Sequence, residues 1–304
     1  MKYELLGPLR LVNENGTSSI SAIKIETLLR VLLIRSGQVV TTGQLITEIW
    51  REDMPRRAIA GLHVYVSKLR KFVRGSDSAI VTHPAGYQLR TGSDQIDAHT
   101  FREHIRQGRG HARDRRPEAA AESFNAALSL VRGPIGHSFH NGPIVQGFAT
   151  WAEEAQLECT EMLLDAKLAL GLHREVISDL YSLMSAHPFR EVFYQQLMLA
   201  LYRSDQQASA LEVYRTARHV LANELGIEPC HTLQGLYQAI LKGDRRLEER
   251  TRHTADTRRP EPRGPALTAP PHTSRRALGR GSEIPGHSPM KGPLAALPRA
   301  HSMP

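Results

Sequence analysis

Over the first 25 residues, apolar and polar positions alternate. Residues 3–6 and 9–12 are short period-two runs separated by the turn dipeptide Gly7-Pro8, residues 13–16 give a second turn signal, and residues 19–25 alternate again. This predicts a small antiparallel sheet of about three or four strands. The period then changes. Leu28, Leu29, Leu32 and Leu33 fall at helical spacing up to Ser36-Gly37. A second short helix, with Leu45, Ile46, Ile49 and Trp50 on one face, follows Thr41-Thr42, and either threonine can cap it.

A third helix is predicted over residues 57–73. Ala58, Leu62, Val66 and Leu69 form one apolar stripe, and the other face carries Arg56, Arg57, His63, Ser67, Lys68, Arg70 and Lys71. One face suits a scaffold and the other suits the major groove, as in a helix-turn-helix. An ordinary amphipathic surface helix shows the same pattern, so this segment alone leaves both readings open. Residues 80–82, Pro84-Ala85-Gly86 and residues 87–90 then read as a β-hairpin. Sheet, three helices and hairpin together make a winged helix-turn-helix, whose hairpin can rest on the sugar-phosphate backbone.

From residue 101 to 242 the period is helical almost throughout. Helices are predicted over 117–131, 151–170, 174–186, 191–202, 208–225 and 233–242, with a loop over 135–147. Gly171 and Gly226 stand just past helix ends and Pro188 at the start of another. Two helix pairs repeat at an offset of 35 to 37 residues, and LMLALYRSDQQASALEVYRTA resembles a tetratricopeptide unit. Such stacks leave a concave face for a partner.

Charge divides the chain in the same places. Residues 1–92 hold 13 Lys/Arg against 7 Asp/Glu, residues 93–243 hold 14 against 18, and residues 244–304 hold 12 against 6. The last block has no Phe, Trp or Tyr and ten of the 18 prolines, too little apolar surface to offset the entropy of ordering, so a disordered tail is expected there. Its Arg pairs would add at most non-specific phosphate attraction. The fold class is thus mainly α, with an α+β winged helix-turn-helix over 1–92, a TPR-like helical domain over 96–243 and the tail over 244–304.

Membrane and enzyme classes find little support. No apolar run approaches the roughly 20 residues of a membrane span, and MKYELLGPLR does not read as a signal peptide, so a cytoplasmic, nucleoid-associated protein is expected. Cys159 and Cys230 cannot build a zinc site and read as two buried free thiols. His137 and His140 lack a third ligand of clear spacing, and Glu153, Glu154, Glu158 and Glu161 read as a solvated helix face. No phosphate-binding G-x-x-x-x-G-K-[ST] loop occurs. No metal, cofactor or catalytic set is expected.

The segments LLGPLRLV, LLRVLLIRSGQVVTTGQLITEIW, LHVYVSKLRK and IVTHPAGYQL resemble the DNA-binding domain of OmpR/PhoB-type response regulators, and still more the Streptomyces antibiotic regulatory protein family of transcription activators. The run HPFREVFYQQLMLALYRSDQQASALEVYRTARHVLANELGIEP, preceded by Arg132-Gly133-Pro134, resembles the bacterial transcriptional activation domain that follows the winged helix in that family. The resemblance covers residues 1 to about 243. It implies that the helix over 57–73 enters the major groove and that the hairpin over 80–89 touches the flanking backbone. It also implies control of a secondary-metabolite gene cluster, with paired subunits on direct promoter repeats.

On the outward face so placed, Arg56, Arg57, Arg70 and Lys71 are the expected phosphate contacts and His63, Val64, Ser67 and Lys68 the expected base-edge contacts, with His83 and Tyr87 in the wing. The sequence departs from the family pattern at Ile59, Gly61 and Val64, read as outward-facing, and at His83 and Gln88, where relatives often carry arginine. The expected partners are double-stranded DNA, RNA polymerase and a second subunit on DNA, with no membrane. Two rivals compete with this reading. One is a helical interaction scaffold whose winged domain binds protein; the other is an RNA-binding protein, disfavoured because the sheet lacks stacking aromatics.

Overall fold

The computed structural model describes residues 1–134 and 142–247 apart from Asn15, Gly75 and Arg245. The predicted tail beyond residue 247 and the pair His137/His140 lie outside the described residues.

The chain opens with β1 (Lys2–Glu4), β2 (Arg10–Asn13) and β3 (Gly16–Ser18), joined by β7 (Gln95–Ile96) in a four-stranded sheet of order β3-β2-β1-β7. Tyr3 pairs with Leu11 antiparallel and with Ile96 parallel. The expected strand over 19–25 is not formed. Helix α1 (Ile23–Ile34) already begins inside it, because Ile25 continues the helical stripe of Leu28, Leu29 and Leu32 into the core and leaves Ile23 exposed.

A second sheet, order β4-β6-β5, combines the expected hairpin of β5 (Ala79–His83) and β6 (Gly86–Arg90) with a strand the pattern did not reveal, β4 (Val39–Thr41). Gly86 faces Thr41 in that pairing, and a Cβ there would stand 2.0 Å from the Val40 carbonyl oxygen. Helix α2 (Thr42–Trp50) follows directly, closed by a capping box: Thr41 Oγ1 accepts from the Gln44 amide and Gln44 Oε1 from the Thr41 amide. Residues 51–57 then lead into α3 (Ala58–Phe72).

Seven helices complete the described chain: α4 (Asp97–Arg113), α5 (Pro117–Leu128), α6 (Pro143–Ala169), α7 (His173–Ala186), α8 (Glu191–Tyr202), α9 (Gln207–Leu225) and α10 (His231–Leu241). Neighbours pack as antiparallel TPR-like pairs. Three expectations shift. Helix α6 starts at Pro143, inside the segment read as a loop. Pro188 lies in the turn before α8, where its carbonyl accepts from Tyr194 Oη at 2.9 Å. Cys159 is buried, its thiol pushed up to about 12 by burial, but Cys230 at the start of α10 is exposed.

The winged domain and the first helices of the second domain share one core. It runs from Tyr3, Leu28 and Leu45 through Phe101 and Phe124 to Phe148 and Cys159, and a second core from Leu164 to Ile240 takes over within α6. Polar clamps tie the joint. Asp97 accepts from the Leu5 and Leu6 amides at 2.7 and 3.0 Å, and Arg132 binds the Pro8 carbonyl at 3.1 Å and Glu4 at 3.3 Å.

Glu48 of α2, almost fully buried, accepts from the Ile144 amide at 2.5 Å and the Val145 amide at 3.4 Å. It therefore serves as the missing N-cap of α6. Burial raises its pKa, and the two amides and Arg35 and Arg51 offset only part of that rise. A carboxyl whose folded pKa is raised binds more protons folded than unfolded, so its contribution falls as pH climbs from the usual glutamate value of about 4.3 through the folded value. Urea unfolding at about pH 5 and about pH 8 will therefore favour wild type over Glu48→Gln more at the lower pH. A difference between the two proteins that does not change with pH would show that Glu48 titrates normally.

Candidate nucleic-acid interface

Helix α3 buries Ala58, Leu62, Val66 and Leu69, the stripe expected from the sequence. Its contact with α2 depends on Gly61. A Cβ there would lie 3.2 Å from the Trp50 ring, and Trp50 stacks on Tyr65 with centroids 5.6 Å apart. Gly61, read from sequence as outward-facing, thus faces α2, where a side chain would crowd the Trp50 indole.

The opposite face is open. At about 100° per residue, Ala60, Val64, Ser67 and Lys71 run down its centre, with His63 and Arg70 on one edge and Lys68 on the other. All seven are exposed, Val64 to 51 %. Arg56 and Arg57 are exposed in the turn just before the helix, and Ile59 is 56 % exposed in its first turn. The structure therefore brings His63, Val64, Ser67, Lys68 and Lys71 onto one surface with the two arginines at its entrance. Ala60 was missed, although the spacing of four and seven to Val64 and Ser67 contained it.

Arg70 has a second task. Its guanidinium donates to the Ile80 carbonyl oxygen at 3.0 and 3.2 Å and to Thr82 Oγ1 at 2.7 Å, pinning the hairpin to the last turn of α3. The hairpin tip, Pro84-Ala85, is held on its other side by the Thr42 amide, which donates to the Ala85 carbonyl at 2.9 Å. Half-buried His83 meets Gln88 Oε1 at 3.1 Å, and Gln88 Nε2 donates to the Gly37 carbonyl at 2.6 Å. Gln88 thus braces the wing from within. Tyr87 is a correction: it is only 7 % exposed, because it shares the inward face of β6 with Leu89. Its ring supports the wing rather than presenting a contact.

Among the described residues no His/Cys/Asp/Glu group could hold a metal ion, and no helix is long and apolar enough to cross a membrane.

Comparison with known proteins fits this geometry. Residues 23–89 match the model of the transcriptional regulatory protein C-terminal domain, and residues 96–241 that of the bacterial transcriptional activator domain. The chain is 37 % identical over 248 residues to the regulatory protein AfsR of Streptomyces griseus, covering 81 % of this chain and 25 % of AfsR. It thus spans about a quarter of the AfsR length. Identity to the regulatory protein DnrI of Streptomyces peucetius is 31 % over 254 residues, covering 80 % of this chain and 93 % of DnrI. A solved structure of Mycobacterium tuberculosis EmbR with a low-affinity phosphopeptide superposes with a TM-score of 0.76 at 31 % identity, over 84 % of this chain and 70 % of EmbR.

A winged helix-turn-helix followed by a TPR-like helical domain is thus matched, in order, to a domain of transcriptional regulatory proteins and to the bacterial transcriptional activator domain. This chain belongs to the Streptomyces antibiotic regulatory protein family.

Proposed function

We propose that the protein is a sequence-specific DNA-binding activator of a secondary-metabolite gene cluster in a bacterial cytoplasm, with residues 1–92 reading DNA and residues 96–243 engaging a second subunit or RNA polymerase. The observation that carries this reading is the outward face of α3, a cationic, uncovered surface on a helix braced by α2 and the hairpin.

In this reading Arg56, Arg57 and Lys71 attract phosphates and set the register, while Arg70 fixes the wing and adds charge beside it. Lys68, His63 and Ser67 supply hydrogen bonds to base edges. Val64 and Ile59 supply only apolar contact, so each forgoes the roughly 1–3 kcal/mol that a bidentate pair gives in discriminating bases. His83 at the end of β5 lies nearest the flanking backbone. Two subunits on promoter repeats would double the interface without a new kind of interaction, and the helical domain would then recruit polymerase.

The test is an anisotropy titration of the full chain on duplexes from upstream of neighbouring biosynthetic genes, at several salt concentrations. Changing Arg56, Arg57 and Lys71 to Ala should weaken all sequences alike and flatten the logarithmic salt slope by about 0.9 for each phosphate no longer neutralised. Lys68→Ala should instead shift the preferred sequence. A wild-type chain without duplex affinity at moderate salt would favour the scaffold reading and remove this one.

A further inference from the structure

We infer that the groove between α4 and α6 is a docking site for an acidic amphipathic helix of a partner protein. This goes beyond DNA reading and does not depend on it.

Helix α4 carries Arg102, Arg106, Arg109 and Arg113 at spacings of four, three and four, so all four lie along one face. That face is one wall of an open groove of about 740 Å³, and α6 is the other. The floor is apolar, formed by Ile105, Phe124, Trp151 and Met162. Charge is sorted to this place. Residues 93–243 are acidic overall, with 14 Lys/Arg against 18 Asp/Glu, yet residues 97–116 hold six Arg against three Asp/Glu.

Two of the arginines have carboxylates of their own. Arg106 binds Glu103 at 2.7 Å along the helix, and Arg109 binds Glu158 on the opposite wall at 2.5 Å. The other two do not. Arg102 lies 4.0 Å from the Trp151 ring centroid, and Arg113 donates to the Arg109 carbonyl; neither forms an ion pair among the described residues. Eleven residues of helix separate them, roughly 16 Å. Two uncommitted guanidinium groups thus bracket an apolar floor about three turns long.

The complement is a helix with a carboxylate at each end of its contact face and aliphatic or aromatic residues between, which is the helix-in-groove mode. Arginine in forked geometry matches carboxylates, and its stacking on Trp151 holds the fork in place with less entropy left to lose. A nucleic-acid backbone fits less well. It gains nothing from Ile105 and Met162, and two of the four cations here are already neutralised.

The test uses the full chain without DNA. The probe is a fluorescein-labelled synthetic peptide of about 18 residues, with leucine at every third or fourth position and glutamate elsewhere. Sister peptides carry glutamine or lysine in place of glutamate. The glutamate peptide should bind, and Arg102→Glu/Arg113→Glu should bind it at least about tenfold more weakly while gaining affinity for the lysine peptide. Both positions are exposed, and the gained affinity cannot come from misfolding. Failure of the glutamate peptide to bind, equal binding of the glutamine peptide, or an absent charge swap would overturn the inference. So would a random-sequence duplex that displaces the peptide and loses as much affinity to the double variant, since the groove would then be a nucleic-acid surface.

Discussion

Ser67→Glu should abolish duplex binding, lowering affinity by at least about a hundredfold, or about 3 kcal/mol, with no loss of fold. Ser67 sits at the centre of the outward face of α3, between Val64 and Lys71, and is exposed. A carboxylate there would face the negative surface of the duplex wherever the helix seats in the groove. It would also lie one turn before Lys71, at the spacing that forms helix ion pairs, and so draw that ammonium away from phosphate. Stability should change by no more than about 0.5 kcal/mol, because glutamate is a good helix former and the site is on the surface. Ile23→Glu makes the same change of charge on α1, at a side chain 67 % exposed and away from the outward face of α3. Anisotropy on one duplex and a thermal melt of each variant check the pair. Binding by Ser67→Glu within threefold of wild type would mean that another surface meets the DNA.

Helix α3 was legible because its evidence is local. Ala58, Leu62, Val66 and Leu69 are one stripe in the sequence and one buried row in the fold. The same holds for the ends of α7, α8 and α9 and for the positive φ of Gly171 and Gly226. Tyr87 was misassigned to the wing's contact surface although the signal against that was just as local. It lies two residues from Leu89, and the alternation that buries one buries the other. Failures came where two periods overlap or where partners are distant in sequence. Ile23-Lys24-Ile25 satisfies alternation and the first turn of a helix equally, and only the leucines that follow decide. Three residues of β4 are too few for a pattern, and their pairing with β6 spans nearly fifty positions. Glu48 reads as one acidic residue in a short helix. That it caps α6, 96 residues later, follows from the shared core and from nothing local. Arg70 is similar: its place on the cationic face is visible in the sequence, but its bonds to Ile80 and Thr82 are not.

The wing gives the second large effect, through packing rather than charge. Gly86→Ala should destabilise the protein by about 3 kcal/mol, in the upper part of the range for overpacking. The added Cβ would lie 2.0 Å from the Val40 carbonyl oxygen and 2.8 Å from the Thr41 Cα. Both are backbone atoms of β4, so no side chain can swing aside, and the two strands must part. Thr41 pairs with Gly86 and also caps α2, and the next amide, Thr42, holds the Ala85 carbonyl. Separation of the strands would therefore disturb the hairpin tip and the first turn of α2 together, and α2 positions α3 through Trp50. Gly110→Ala is the contrast. That position is inside α4 with nothing within 4 Å of a new Cβ, and alanine there should stabilise by about 1 kcal/mol. Urea unfolding followed by tryptophan emission measures both. If Gly86→Ala unfolds at the wild-type midpoint, β4 and β6 do not approach as closely as the structure shows, and the hairpin is not held as a fixed partner of α3.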